Sequence, residues 1–381
     1  MMMSLAHLLH AHTATQHPRP IVPRHIHLSA ALGWIGRAYA AAGDGGISKG
    51  YDLLRARWAP SYPETTGYTI PTLLNAAAYL GQPGWRIDAL RMADYLLEQR
   101  TPEGGVVHWE RRGDPPVVFD TGQVIFGWLA AFRVSGEPRY LEAARRAADW
   151  LVSIQDESGA WMRNQHLGTP KTIDTRVAWA LLELFDQTGA EDYAQSARRN
   201  LDWAIQQQTP DGWFQHCAFT PQEPPFTHTL AYTIEGLLLC GLHLQEKRYV
   251  EAARRGAEAL LRLQRPDGSL AGTYDSGWRP NESFSCLTGN CQMGIVWLRF
   301  YHLQPEPRYL EAARKAIGFV AHTQIARGAA SEIRGGIAGS APIWGGYERF
   351  KYPNWAAKFF VDALLWLETS QGNAPVPVYA G

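Results

Sequence analysis

Segments with a single apolar face alternate along this chain with segments that are apolar nearly all round. The first kind is plainest in "PRYLEAARRAADWLVSIQ" from Pro138, "EDYAQSARRNLDWAIQQQ" from Glu191, "KRYVEAARRGAEALLRLQ" from Lys247 and "PRYLEAARKAIGFVAHTQ" from Pro307. Their starts lie 53, 56 and 60 residues apart. "PGWRIDALRMADYLLEQR" from Pro83 follows more loosely. Each has Tyr or Trp in third place, then small and apolar residues at helical spacing, with Arg or Lys on the remaining face. That spacing predicts amphipathic helices with one wet side. A glycine-bearing turn follows ("TPEGG", "DESGAW", "TPDGW", "RPDGS"), and then the second kind of segment: "DTGQVIFGWLAAF", "DTRVAWALLELF", "HTLAYTIEGLLLC", "TGNCQMGIVWLRFY" and "PNWAAKFFVDALLWL". "ETTGYTIPTLLNAAAYL" belongs to this set, and "IHLSAALGWIGRAYAAAG", residues 26–43, reads as its outer partner.

A helix that is apolar on every side must be surrounded by protein. Alternating wet and buried helices meet that demand when the buried set forms an inner ring and the wet set an outer one. The expected fold is therefore all-α, a closed (α/α)6 toroid of six hairpins forming one domain over residues 26–370. A disordered N-terminal tail, 1–25, and a C-terminal tail, 371–381, would flank it. Six histidines fall in the first twenty-seven residues. Their irregular spacing and the intervening prolines favour a poorly ordered tail over a metal site.

In such a ring the inner helices run the same way, so their N-termini converge on one end of a central funnel. The residues at those starts are Glu64, Asp120, Asp174, His228, Asn290 and Trp355. Caps alone would explain a short polar residue at each start. Long polar groups also occur one or two turns further in, at Gln123, Arg176, Tyr232, Glu235, Gln292 and Lys358. Buried without partners they would cost several kcal/mol each, about 2–7 on transfer scales, so a wet cavity is expected to receive them. Tyr62, Glu64 and Tyr68 would stand at its rim.

Neighbouring helix axes lie roughly 8–10 Å apart. First-turn carboxylates on adjacent inner helices can thus reach the roughly 5–9.5 Å separation that glycosidases use. Asp120 and Asp174 are the expected acid/base pair, with Glu64 a third catalytic candidate. Tyr62, Tyr68, Gln123, Arg176, His228, Tyr232, Asn290, Gln292, Tyr352, Trp355 and Lys358 are the expected substrate-binding set. Aromatics beside the turns before inner helices (Trp109, Trp161, Trp213, Tyr274, Trp278, Trp344, Tyr352 and Trp355) supply platforms for sugar rings or apolar ligands. The stretches 101–119, 268–286 and 325–351 exceed ordinary hairpin turns and are expected to wall the cleft.

Composition narrows the classes. Thirty-six basic and thirty-six acidic residues give a formal charge of zero, and no basic stripe stands out, so nucleic acid is not an expected partner. The four cysteines have no CxxC spacing, and a disulfide framework is not expected in a chain this long. No run of eighteen apolar residues and no charged leader followed by an apolar stretch occurs. A cytoplasmic location is the resulting expectation. Nothing in the sequence calls for a cofactor or a metal, and the oligomeric state is left open.

The hairpins and the starts "FDTGQVIFGWL", "TIDTRVAWALL" and "THTLAYTIEGLL" resemble the six-hairpin glycosidase superfamily, which includes unsaturated glucuronyl hydrolases and sugar 2-epimerases. That resemblance implies a toroid enzyme in which mouth aspartates act on an unsaturated uronic acid; Asp120 and Asp174 are the matching positions. "SYPETTGY" is similar to a segment of bacterial toroids linked to exopolysaccharide production. "QDESGAW", Gln155 to Trp161, resembles the Q-x-x-x-G-x-W repeat of squalene cyclases, with "QTPDGWF" and "QRPDGSL" as partial matches. Their D-x-D-D acid motif is absent, and the Asp-Cys-His zinc set of protein prenyltransferases lacks its D-x-C.

The expected function is carboxylate acid/base hydrolysis of a bacterial oligo- or polysaccharide. A polysaccharide lyase or uronate epimerase on the same scaffold, a terpenoid cyclase or prenyltransferase-like enzyme, and a non-catalytic glycan-binding or assembly protein are the alternatives.

Overall fold

The computed structural model describes residues 2–17, 19–20, 22–108, 115–281 and 283–379. After α1 (Met2–Gln16) come six outer helices: α2 (Arg24–Ala42), α4 (Gly84–Leu97), α6 (Pro138–Ser153), α8 (Glu191–Gln206), α10 (Lys247–Arg262) and α12 (Pro307–Thr323). Six inner ones alternate with them: α3 (Pro63–Leu80), α5 (Val118–Ser135), α7 (Thr175–Thr188), α9 (Thr227–His243), α11 (Leu287–Leu303) and α13 (Asn354–Ser370). Each inner helix packs on the next, and α13 returns to α3, so the ring is closed as the alternation predicts.

The sequence reading set each outer helix before the inner helix of its hairpin, and the structure reverses that order. The tight pairs are inner-then-outer, α3 with α4 through α11 with α12, and α2 packs chiefly on α13 rather than on α3. The first and last helices of the toroid thus close the ring together. Short connections (81–83, 136–137, 189–190, 244–246 and 304–306) lie at one end. Gly136 ends α5 in the left-handed conformation, φ 72°, where a side chain would be strained. All the long connections lie at the other end, with the N-termini of the inner helices.

Small residues let the inner helices approach. A Cβ at Gly67 of α3 would lie 2.6 Å from the Cα of Val124 in α5, closer than side chains tolerate. The outer ring is braced by the repeated third-place tyrosine. Tyr140, Tyr193, Tyr249 and Tyr309 donate to Asp94, Asp149, Asp202 and Glu258 on the preceding outer helix, at 2.7–2.9 Å. The repeated turn glutamine clamps in the same way. Gln155, Gln208 and Gln264 each donate to a carbonyl of the next outer helix, at Ser196, Ala252 and Ala312.

Short strands trim the mouth: β1 (Gly50–Asp52), β2 (Arg57–Trp58), β3 (Ser285–Cys286), β4 (Ser340–Ala341) and β5 (Lys351–Pro353). They form an antiparallel sheet ordered β2-β1-β5 and a β3-β4 pair. The expectation of a disordered segment over 1–25 is corrected by α1. Ala11 and Ala14 are buried, His12 stacks on Trp344 at 5.1 Å, and Thr15 accepts from the Ile343 N–H at 3.0 Å. Its alternating small residues fit the 341–344 loop, which the sequence-level reading of proline and histidine did not reveal. All four cysteines are free and buried.

Candidate active site

The mouth holds a cavity of about 350 Å³ where the inner N-termini converge. Of the expected residues, Tyr62, Glu64, Tyr68, Asp120, His228, Tyr232 and Trp355 line it. Residues the sequence reading missed line it too: Lys49, His108, Gln165, His166, Lys171, Tyr347 and Glu348. They come from the connections before inner helices, where no helical period marks a position. The one available signal was that those connections are long. Stretches 101–119 and 325–351 wall the cavity through His108, Phe119, Tyr347 and Glu348, whereas 268–286 gives no lining residue and the connections 154–174 and 207–226 do. Trp109 lies outside the described residues.

Glu64 and Asp120 start adjacent inner helices, and both are buried, at 9% and 2% exposure. Burial, with Asp120 as its neighbour, pushes the Glu64 carboxyl up to about 8. Burial likewise raises Asp120, opposed by the hydrogen bond and charge of His108. Two neighbouring buried carboxyls cannot both ionise readily, and Glu64 keeps its proton at neutral pH. Each has its own second partner: Tyr62 hydrogen-bonds Glu64, and His108 Nδ1 lies 2.8 Å from Asp120 Oδ2. Tyr62 meets the His108 ring edge-on at 5.4 Å, so the four groups form one cluster.

Asp174 stands apart from that cluster. It is 1% exposed and does not line the cavity, although its neighbours Gln165, Lys171 and Ile173 do. Gln165 Nε2 donates to Asp174 Oδ2 at 2.7 Å, while Oδ1 is buried without a hydrogen bond among the described residues. Burial lifts its carboxyl to about 7, against the pull of Lys171 and Gln165.

On the opposite wall His228 Nδ1 lies 2.7 Å from Gln292 Oε1. A carbonyl oxygen there accepts, which fixes the proton on Nδ1 and leaves the Nε2 lone pair open. Burial lowers His228 to about 4, so it is neutral at physiological pH. Its ring packs 4.4 Å from Tyr232 and 5.3 Å from Tyr347. Trp355 Nε1 donates to the Tyr347 hydroxyl at 2.8 Å. Aromatic faces therefore flank the carboxyl cluster.

The remaining expected ligands do not line the cavity. Gln123, Arg176 and Lys358 are fully buried inside the ring, where they pair instead of facing water. Arg176 bonds Glu235 and, at 3.0 Å, Gln123; Lys358 pairs with Asp362 at 2.9 Å. Pairing meets the same burial cost that a wet cavity would have relieved. Asn290 is a local brace, accepting from the Leu270 N–H and donating to the Cys286 carbonyl. Gln292 is not a lining residue and meets the cavity wall through its bond to His228. Tyr352 is buried in β5, opposite Tyr51. Trp161 is also buried, donating to the Leu151 carbonyl.

The fold is a closed six-hairpin (α/α)6 toroid. Solved structures that match nearly the whole chain include an unsaturated glucuronyl hydrolase from Bacillus sp. GL1, described as responsible for glycosaminoglycan degradation. Its TM-score is 0.74 at 18% identity, covering 94% of this chain and 100% of that one. A heparin-specific unsaturated glucuronyl hydrolase gives 0.71 at 14%, covering 92% and 98%. The cellobiose 2-epimerase of Bacillus thermoamylovorans gives 0.69 at 13%, covering 87% and 95%. At such identities the likeness is one of fold.

A sequence-family model for the squalene-hopene cyclase C-terminal domain matches residues 63–248. The squalene–hopene cyclases of Zymomonas mobilis and Bradyrhizobium diazoefficiens are 26% and 30% identical over 155 and 147 residues, 38% and 36% of this chain. The match spans about a fifth of their length, 22% and 21%. No helix among the described residues is long and apolar enough to cross a membrane, and none of their His, Cys, Asp and Glu side chains form a metal-holding group of three.

Proposed function

We propose that this protein is a carbohydrate-active enzyme that hydrolyses a glycosidic bond at the end of an oligo- or polysaccharide. The observation that carries the reading is the buried Glu64–Asp120 pair, with Glu64 kept protonated by burial and by its neighbour, in a cavity flanked by Tyr62, Tyr232 and Trp355. Glu64 gives its proton to the glycosidic oxygen as the bond to the anomeric carbon breaks. Asp120, held by His108, takes a proton from the water that attacks that carbon. A cavity of about 350 Å³ lies near the lower end of the range of about 300–1,000 Å³ for small-ligand sites, and the inner helices close behind it. A chain end suits it better than a chain interior. Asp174, behind Gln165, shapes the local charge.

The test is mass spectrometry of oligosaccharides incubated with the protein in deuterated water, beside Asp120→Asn, Glu64→Gln and Asp174→Asn. Fragments that gain water, with kcat at least about 100-fold lower in Asp120→Asn and Glu64→Gln but binding kept, are expected. Loss in Asp174→Asn with Glu64→Gln still active would move the acid to Asp174. Unchanged glycans across a panel the protein binds would reduce it to a binding protein.

One observation favours a second reading. His228 offers a neutral Nε2 in a cavity that also holds His108 and His166. A neutral Nε2 is free to accept a proton from a carbon beside a carbonyl, the step of a sugar 2-epimerase, and the burial that lowers it to about 4 makes it a weak base for that step. Deuterium uptake without cleavage, lost in His228→Gln, would establish it.

A further inference from the structure

Away from the mouth, a cavity of about 560 Å³ lies on the flank of the toroid, between α2, the C-terminal end of α3 and the connection that follows α12. It shares no lining residue with the mouth cavity. Arg37, Arg327 and Arg334 line it with His25, and no carboxylate does among the described residues. None of the three arginines has an ion pair among the described residues. Arg37 is held in place. Its Nε donates to the Ser331 carbonyl at 2.9 Å and its Nη2 to the Arg334 carbonyl. Nη1 is left beside Gly33, where a Cβ would lie 3.5 Å from it. Glycine is disfavoured inside a helix; at position 33 it leaves one edge of the guanidinium uncovered. Burial, and then the Arg334 charge, push Arg37 below the ordinary arginine value, with Glu332 opposing. Glu332 does not line the cavity: its carboxylate takes the Ser331 hydroxyl at 3.0 Å and lies 3.9 Å from His7 Nε2. The cations therefore repel one another across a cavity with no lining anion between them.

We propose that this cavity is a binding site for a phosphate-bearing small molecule, separate from the mouth and independent of the carbohydrate reading. A phosphomonoester presents three terminal oxygens, so it can take N–H forks from several guanidiniums at once. A carboxylate has two oxygens on one edge and engages a single fork well. The volume falls within the range of about 300–1,000 Å³ for small-ligand sites and exceeds what a bare phosphate needs. Ile26 and Leu80 supply an apolar side for the organic part. Arg37 gives the fixed contact, and the exposed Arg327 and Arg334 add charge from the connection after α12.

Calorimetry on the full chain tests it, in chloride buffer at a constant ionic strength of about 150 mM, so that screening is equal throughout. The probes are phenyl phosphate and benzoate, which share a ring and differ in the anion. Phenyl phosphate is expected to bind at least about tenfold tighter than benzoate. Arg327→Gln combined with Arg334→Gln should weaken phenyl phosphate by at least about tenfold. Gly33→Leu keeps every charge and should weaken it as much, by covering Arg37 Nη1. Thermal unfolding like that of the wild type shows that the variants fold. No binding of phenyl phosphate at about 10 mM would overturn the site. Affinity no better than that of benzoate would overturn it too, as would binding that either variant leaves unchanged.

Discussion

Glu64 is the residue whose chemistry is most altered by its place. Its carboxyl stands near 8 rather than the usual 4.5, chiefly because it is buried and secondly because Asp120 is beside it. The folded protein therefore binds a proton there that the unfolded chain gives up at lower pH. Stability from this group is present below about pH 4.5 and is lost as pH rises through about 8; Asp174, lifted to about 7, adds the same sign. The melting temperature should fall between about pH 5 and pH 9, and Glu64→Gln should flatten that fall. A variant that tracks the wild type at every pH would remove Glu64 as the protonated member. His108 acts on the other member. Replacing it with Ala frees Asp120 from the hydrogen bond and charge that hold it down, so kcat should drop by about 10- to 100-fold with KM nearly unchanged, and the acidic limb of the rate profile should move to higher pH. His108 was not legible in "GGVVHWE", because a connection has no period that says which side chain turns inward. Asp120 was legible because helical repetition gave it a counterpart in every hairpin.

At the scale of elements, repetition built the walls and interruptions furnished the site. The third-place tyrosines and turn glutamines that made the repeat visible are braces between outer helices. Gln155 and Gln208 fall within the stretch matched by the squalene-hopene cyclase family model. That match covers these braces and says nothing of shared chemistry. The same logic explains why the pairing of α2 was misread. Sequence adjacency pointed to α3, whereas ring closure gives α2 the exposed flank of α13. The element hardest to foresee is α1. It packs on α12 and the 341–344 loop, three residues before Tyr347 and Glu348, which line the cavity. Deleting residues 2–16 should leave the toroid folded by circular dichroism yet weaken saccharide binding by about tenfold, through the loosened loop. Equal binding by the shortened chain would show that the loop holds itself.

For the whole molecule the open question is what fills the axis of a ring whose inner helices all face one another. Apolar side chains do most of it, but charges cross the centre from helix to helix. Gln123 of α5 meets Arg176 of α7, which pairs with Glu235 of α9, which also takes Arg299 of α11 at 3.5 Å. Arg176 lies 4.9 Å from the Tyr232 ring centre, so this layer also supports a wall of the cavity. Glu235 is the shared anion of two guanidiniums, the fully buried Arg176 and the partly exposed Arg299, which Asp362 and Glu183 also attract. Removing it leaves Arg176 without its carboxylate in a site that water cannot enter easily, which costs roughly 3–5 kcal/mol. Glu235→Gln should therefore lower the urea midpoint sharply, by more than Glu64→Gln or Asp120→Asn at the mouth. Arg176→Met combined with Glu235→Leu takes the charges out together, and it should recover part of that loss. If the double variant is as unstable as the sum of its parts, the layer is held by packing rather than by charge. Recovery would instead mean that the ring keeps an ionic floor at some expense in stability, and saccharide binding by the double variant then shows whether that floor serves the site above it.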